Sequence, residues 1–164
     1  MYQVGQKIVY GIHGVCCIVD LEEKKIDRKT ICYFVLEPID QPGSRYYVPS
    51  ENQAALAKIR PLSTKEELDA LLTAPLAENV WIVDENRRKQ HYRELVSSVN
   101  LKAMIDMIRC LLIHRRQQME QGRKFHQCDE NFLRDTQKIL STEIAMVMEI
   151  PDAQVDTYLQ TVFD

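Results

Sequence analysis

From Lys7 to Leu62 the apolar positions come in short runs with a period near two, rich in β-branched and aromatic residues. Lys7-Ile8-Val9-Tyr10, Val15 to Leu21, Thr30 to Glu37 and Arg45 to Pro49 read as strands, with a further short one around Ile59 to Leu62. Gly11 and Gly14, the charged run Glu22 to Lys29, and Gln41-Pro42-Gly43-Ser44 separate them as turns. Successive strands with little helix between them predict an antiparallel sheet. A sheet this small hides its edges most economically by closing into an SH3-like or Tudor-like barrel.

The period then changes. Ser63 and Thr64 are each followed three residues later by a glutamate, Glu66 and Glu67, which is capping-box spacing and predicts a short helix to about Leu72. Thr73-Ala74-Pro75-Leu76 stops it and opens a linker, 73–84, that holds the only Trp, Trp81. Beyond Asp84 the pattern is helical. Glu85 to Ser97 forms one segment; Leu101, Met104, Ile105, Ile108, Leu111 and Leu112 form the apolar face of a second, capped by Asn100 and stopped near Gly122. Asp129 to Glu149 repeats the spacing, and Pro151 separates it from a last helix, Ala153 to Phe163. The expectation is an α+β chain of two domains: a barrel with its trailing helix over 1–72, the linker, and a bundle of about four helices over 85–164.

Composition supports an ordered protein. Of 164 residues, 45% are apolar and 27% charged, enough apolar surface to offset the entropy of ordering. No apolar run reaches the roughly 18 residues of a membrane span. The opening Met1-Tyr2-Gln3-Val4-Gly5-Gln6-Lys7 lacks the basic-then-apolar plan of a signal peptide, so a cytoplasmic location and no membrane partner are expected. Five cysteines in irregular spacing (Cys16, Cys17, Cys32, Cys110, Cys128) argue for reduced thiols.

Charge changes the picture more. The formal net charge is -3, yet Asn86 to Lys124 carries ten basic residues against three acidic, while Phe125 to Asp164 carries two basic against eight acidic. A polyanion responds to the local field, so the middle block is the candidate footprint. Arg87, Arg88 and Lys89 fall in the first turn of a helix, where the macrodipole is already positive. They can grip phosphates there, or be neutralised by Asp84 and Glu85 as a solvated surface. Lys102, Arg109 and Arg116 recur every seventh residue and predict one stripe opposite the apolar face, with Asp106 placed to pair within it. Arg115, Arg116, Arg123 and Lys124 extend the positive surface. Trp81 can wedge against a base step or, given its neighbours Val80, Ile82 and Val83, anchor the linker.

Catalytic chemistry finds no such support. His13, Cys16, Cys17 and Cys32 suggest a metal, but adjacent strand residues project to opposite faces and cannot easily share one tetrahedral ion. Cys110 with His114, and His126 with Cys128, lack any accompanying metal motif. No phosphate loop, dinucleotide fingerprint, nucleophile elbow or carboxylate dyad is present. A non-enzyme without metal, cofactor or small-molecule substrate is expected.

Val4-Gly5-Gln6-Lys7-Ile8-Val9-Tyr10-Gly11-Ile12-His13-Gly14-Val15 resembles the opening motif of the CarD/CdnL-like family of bacterial transcription regulators, whose first domain is shared with transcription-repair coupling factors. The resemblance continues through Tyr33-Phe34-Val35-Leu36 and Tyr47-Val48-Pro49, then Asn86-Arg87-Arg88 and Lys138-Ile139-Leu140-Ser141-Thr142-Glu143. It implies a Tudor-like barrel that binds the RNA polymerase β subunit and a helical domain that contacts promoter DNA, together modulating the open complex. Lys24 stands where the family has a basic polymerase contact, with Ile26 beside it. Tyr47 stands where relatives have Arg, with Arg45 two residues away. Arg87 and Arg88 match the family's DNA-contacting pair; its wedge Trp would fall at Glu85, four residues after Trp81.

The sequence thus nominates Lys24, Ile26, Arg45 and Tyr47 for polymerase. For DNA backbone it nominates Arg87, Arg88, Lys89, Arg109, Arg115, Arg116, Arg123, Lys124 and Trp81. A protein–protein adaptor with no direct DNA contact is the alternative.

Overall fold

The computed structural model describes residues 2–76 and 81–163. The chain divides into two units, one ending at Ser63 and the other beginning at Thr64.

The first unit is one antiparallel sheet. Its strands are β1 (Lys7–Tyr10), β2 (Val15–Ile26), β3 (Lys29–Pro38), β4 (Tyr46–Pro49) and β5 (Ile59–Pro61), in the order β4-β3-β2-β1-β5. Register explains the core. Ile8 faces Cys16, Ile18 faces Leu36 and Phe34 faces Val48, so residues sharing one side of the pleat meet in a single cluster with Ile59. A one-turn helix, α1 (Gln53–Leu56), carries the chain from β4 to β5 and sets Ala55 and Leu56 against that cluster. The fold class is as expected, a small antiparallel five-stranded sheet ahead of a helical unit; all five strands feed the one cluster, and β4 and β5 stand at the ends of the strand order with no ladder between them among the described residues.

One expectation fails here. The charged run Glu22 to Lys29 is not a turn but most of a long hairpin, in which β2 and β3 stay paired out to Ile26 opposite Lys29. Only Asp27 and Arg28 turn the chain, both in the left-handed region (φ 49° and 67°) that two-residue hairpin turns favour. The outer part of this hairpin is solvated on both faces, so it shows no apolar alternation to read.

The second unit contains α2 (Lys65–Thr73), α3 (Glu85–Ser97), α4 (Leu101–Glu120), α5 (Gln127–Met148) and α6 (Val155–Phe163). The cap residues behave as their sequence spacing predicts: Thr64 and Glu67 form a reciprocal capping box, and the Asn100 side chain accepts the Ala103 N–H at 3.0 Å. Buried Leu68 and Leu72 of α2 join Met104, Ile105, Ile108 and Leu111 of α4, Leu133, Leu140 and Ile144 of α5, and Val155 and Leu159 of α6. Helix α2 is therefore part of the bundle rather than a tail of the sheet, which moves the expected boundary from 72 to 63 and makes the bundle five helices among the described residues. Of the expected linker, 77–80, including Val80, lies outside the described residues.

Trp81 is the only Trp and lies in this unit, so its emission reports on bundle unfolding. Leu68→Ala is expected to cost about 2–5 kcal/mol in a urea titration followed by that emission. An unmoved midpoint would remove α2 from this core.

Candidate functional sites

In the first unit the structure brings together two of the four nominated docking residues and adds a third. Lys24 lies on β2 opposite Ile31, and its Nζ sits 3.8 Å from the centroid of the Tyr47 ring on β4. Tyr33 on β3 stands between them in the sheet order, 5.8 Å from the same ammonium and edge-on to Tyr47 at 6.5 Å. Two aromatic rings thus hold a cation on a solvent-facing patch. Tyr33 was not singled out in the sequence, although its place diagonal to Tyr47 follows once β3 and β4 are registered. Ile26 is exposed near the hairpin tip, and Arg45 is exposed just before β4.

Strand β4 is also an open edge. Ser50 N–H donates to the Cys32 carbonyl at 2.9 Å. By strand alternation, the main-chain groups of Tyr46 and Val48 then face β3, and those of Tyr47 face outward. The edge therefore offers an unpaired donor and acceptor beside the Lys24–Tyr47 stack, a combination that can receive an extended peptide.

The remaining candidates in this unit are structural. Gly14, at φ 71° and ψ -151°, holds a conformation essentially reserved for glycine and closes the turn Gly11–His13. His13 packs on Tyr46 at 4.2 Å and on Tyr10 at 5.2 Å, and burial followed by nearby Lys58 lowers its pKa. Cys16 is fully buried and its thiol is pushed up to about 12, chiefly by burial. Among the described residues no three metal-binding side chains gather.

In the second unit, the nominated cations separate into two populations. Arg88 is buried, with 3% of its surface exposed. Its Nε and Nη2 each donate at 2.8 Å to the two oxygens of Asp129, which is 1% exposed, and Nη1 donates to the carbonyls of Ile82 (2.9 Å) and Val83 (3.3 Å). Burial alone would lower its pKa; the hydrogen bonds and charge of Asp129 outweigh that and leave it raised. The guanidinium also lies 4.6 Å from the Trp81 ring, which stacks on His114 at 3.6 Å and 10°. Arg88 is therefore a strut joining α3, α5 and the segment before α3, and Trp81 is its anchor. Neither is placed to meet a phosphate or a base step.

Arg109 departs from expectation in the same way. It is 7% exposed; Nη1 donates to the Ala74 carbonyl and Nη2 to that of Leu72 at 2.6 Å, and Phe163 lies 4.6 Å away. It caps the end of α2, where the helix dipole favours a cation. The stripe Lys102–Arg109–Arg116 is consequently broken at its centre, because α2 and Phe163 cover that side of α4. Lys102 pairs with Asp106 at 2.6 Å, as its spacing suggests.

The others remain outside. Asp84 caps α3 by accepting the Arg87 N–H at 2.8 Å, while the Arg87 side chain is exposed. Lys89 pairs with Glu85 at 2.8 Å; each partner moves the other's pKa toward the charged form, raising lysine and lowering glutamate. Arg115 is half-buried and reaches Glu130 at 3.4 Å, while Arg116, Arg123 and Lys124 are exposed. Arg88–Asp129, Trp81–His114 and Arg115–Glu130 show that the start of α3, the end of α4 and the start of α5 meet at one end of the bundle. The outward cations Arg87, Lys89, Arg115, Arg116, Arg123 and Lys124 all belong to that end.

Two outcomes follow. Asp129→Ala strands the Arg88 charge in the interior and is expected to cost about 3–5 kcal/mol in urea unfolding; a variant of ordinary stability would contradict the strut. His114 has its pKa lowered, first by burial and then by Arg88 and His126, against an opposing pull from Asp129. The unfolded chain takes up that proton near the ordinary value of about 6.5, so this contribution to stability is complete above it and lost as pH falls below it. The urea midpoint of the second unit should fall between about pH 7.5 and 5.5, and His114→Phe should shrink the fall. An equal fall in both proteins would assign the effect elsewhere.

Residues 2–63 match the family model described as CarD-like/TRCF RID domain. The matched span ends where the first structural unit ends, and it contains the Lys24–Tyr33–Tyr47 stack and the open edge of β4. The first unit of this chain is thus similar to the CarD-like/TRCF RID domain.

Proposed function

We propose that this chain is a non-enzymatic transcription regulator that docks on the RNA polymerase β subunit and sets its helical unit against promoter DNA backbone, altering the stability of the open complex. The observation that carries this reading is the open edge of β4 beside the Lys24–Tyr47 stack, inside the segment that matches the polymerase-interacting family. An added strand would gain main-chain hydrogen bonds from Tyr47, and the cation on its paired rings would discriminate between partners. On the helical unit, Arg87, Lys89, Arg123 and Lys124 are the cations placed to meet phosphates. Such contacts carry no base information, so DNA binding by the chain alone is weak and largely independent of sequence. Docking on polymerase then supplies the local concentration that the weak contact needs.

The adaptor reading gains from one observation: Arg88 and Arg109 are turned inward, leaving the cationic face smaller than the sequence count implies. Salt dependence separates the two. With about four phosphates neutralised, the slope of log affinity against log salt should approach about -3.6. Lys24→Ala/Tyr47→Ala should weaken retention on purified bacterial polymerase, whereas Arg87→Ala/Lys124→Ala should keep retention and lose the effect on open-complex lifetime. A lifetime effect that survives loss of both cations, with salt-independent binding, would leave the adaptor in place of the DNA-contacting regulator.

A further inference from the structure

We propose that the tip of the β2–β3 hairpin is a second nucleic-acid contact, a basic two-stranded ribbon that enters the major groove of duplex DNA. From Lys24 opposite Ile31 outward, β2 and β3 pair only with each other, because the ladder to β1 ends at Cys17 and the ladder to β4 ends at Tyr33. Every residue from Glu23 to Thr30 is exposed. The free ribbon is three residue pairs and a turn, Lys24–Ile31, Lys25–Thr30 and Ile26–Lys29. Three residues of strand extend about 10 Å, and two paired strands lie about 4.8 Å apart. The B-form major groove, about 12 Å wide and about 8.5 Å deep, takes a two-stranded ribbon of that size.

The placement of charge selects the occupant. Lys24 is committed to the Tyr33 and Tyr47 rings, which leaves Lys25, Arg28 and Lys29 at the tip against the single carboxylate of Asp27. None of these three cations makes an ion pair among the described residues. Lys29 shares one face of the ribbon with Ile26, Lys25 shares the opposite face with Thr30, and Arg28 stands at the apex. A groove carries phosphates on both walls and meets all three. A protein surface would meet one face and leave the cation on the other in water. Arg28 holds φ 67°, a region that glycine enters freely and a long L side chain does not, so the turn keeps a cation at its apex against the local preference. Glu22 and Glu23, opposite Tyr33 and Cys32, stand behind the tip and limit the approach of phosphates to the last three pairs. The regulator proposed above meets DNA through its helical unit; this contact is additional and does not depend on that one.

The test is fluorescence anisotropy of the full chain with a labelled DNA duplex of about 20 base pairs, two helical turns. Lys25→Gln/Arg28→Gly/Lys29→Gln removes the charges and leaves an Asp-Gly pair at the turn, which two-residue hairpins favour. It should weaken binding at low salt by at least about tenfold and flatten the slope of log affinity against log salt by about 2.7, the share of three phosphates. Lys25→Arg/Arg28→Lys/Lys29→Arg keeps the charges and should bind as the unaltered chain does, which separates charge from folding. Unchanged affinity and slope in the charge-removed variant would overturn the proposal. So would an equal loss on an RNA duplex, whose narrow major groove does not admit the ribbon, or a variant that keeps DNA and loses only its retention on polymerase. Failure of the helical-unit contact reads out separately, as Arg87→Ala/Lys124→Ala binding DNA normally while the charge-removed hairpin does not.

Discussion

A guanidinium taken out of water is tolerable only when its charge is balanced and its donors are answered, and the second unit depends on meeting that condition at Arg88. Asp129 receives two parallel hydrogen bonds, two carbonyls of the segment before α3 receive others, and Trp81 covers the group. One side chain thereby ties α3 to α5 and fixes the chain that leads into α3. Replacing either charge alone leaves the other buried and uncompensated, so the pair constrains geometry more than it adds stability. Arg109 meets the condition only in part: its two terminal nitrogens answer carbonyls at the end of α2, while its buried Nε has no hydrogen-bond partner among the described residues. The guanidinium neutralises the end of a helix whose apolar face, Leu68 and Leu72, is already committed to the same core.

These inward cations give the charge pattern a different meaning from its first appearance. The excess of basic residues from Asn86 to Lys124 is partly architecture. What remains at the surface is concentrated where α3 and α5 begin and α4 ends. Arg87 and Lys89 add to the positive potential of the α3 N-terminus, whereas Arg115, Arg116, Arg123 and Lys124 lie at or just beyond the end of α4, where they offset a negative dipole end. The first unit has the opposite character. Its candidate surface is a strand edge and a stacked lysine, suited to main-chain recognition of a protein.

How much of this could be read from the sequence follows from the range of each interaction. Strand cores, the Asn100 and Thr64 caps and the Lys102–Asp106 pair are local and were legible from spacing. The outer hairpin was not, since Glu22 to Lys29 is polar on both faces and betrays its strand only through pairing with β3. The fate of Arg88 and Arg109 was not legible either. Their partners lie 41 residues away at Asp129 and 35 to 37 residues away at Ala74 and Leu72, and nothing in a local window distinguishes a buried arginine from a solvated one. Trp81 is intermediate: its apolar neighbours pointed to an anchor, but stacking on His114 needed the fold.

The most direct test of this division of labour is the duplex-DNA affinity of Arg88→Met/Asp129→Leu at fixed salt, with Trp81 emission confirming that the variant is folded. Exchanging a buried ion pair for apolar side chains of similar volume is often neutral for stability. If Arg88 is a strut and the outward cations make the nucleic-acid surface, the double variant binds DNA as the unaltered chain does. A folded double variant whose DNA affinity drops by about tenfold or more would place Arg88 at the interface and contradict the account.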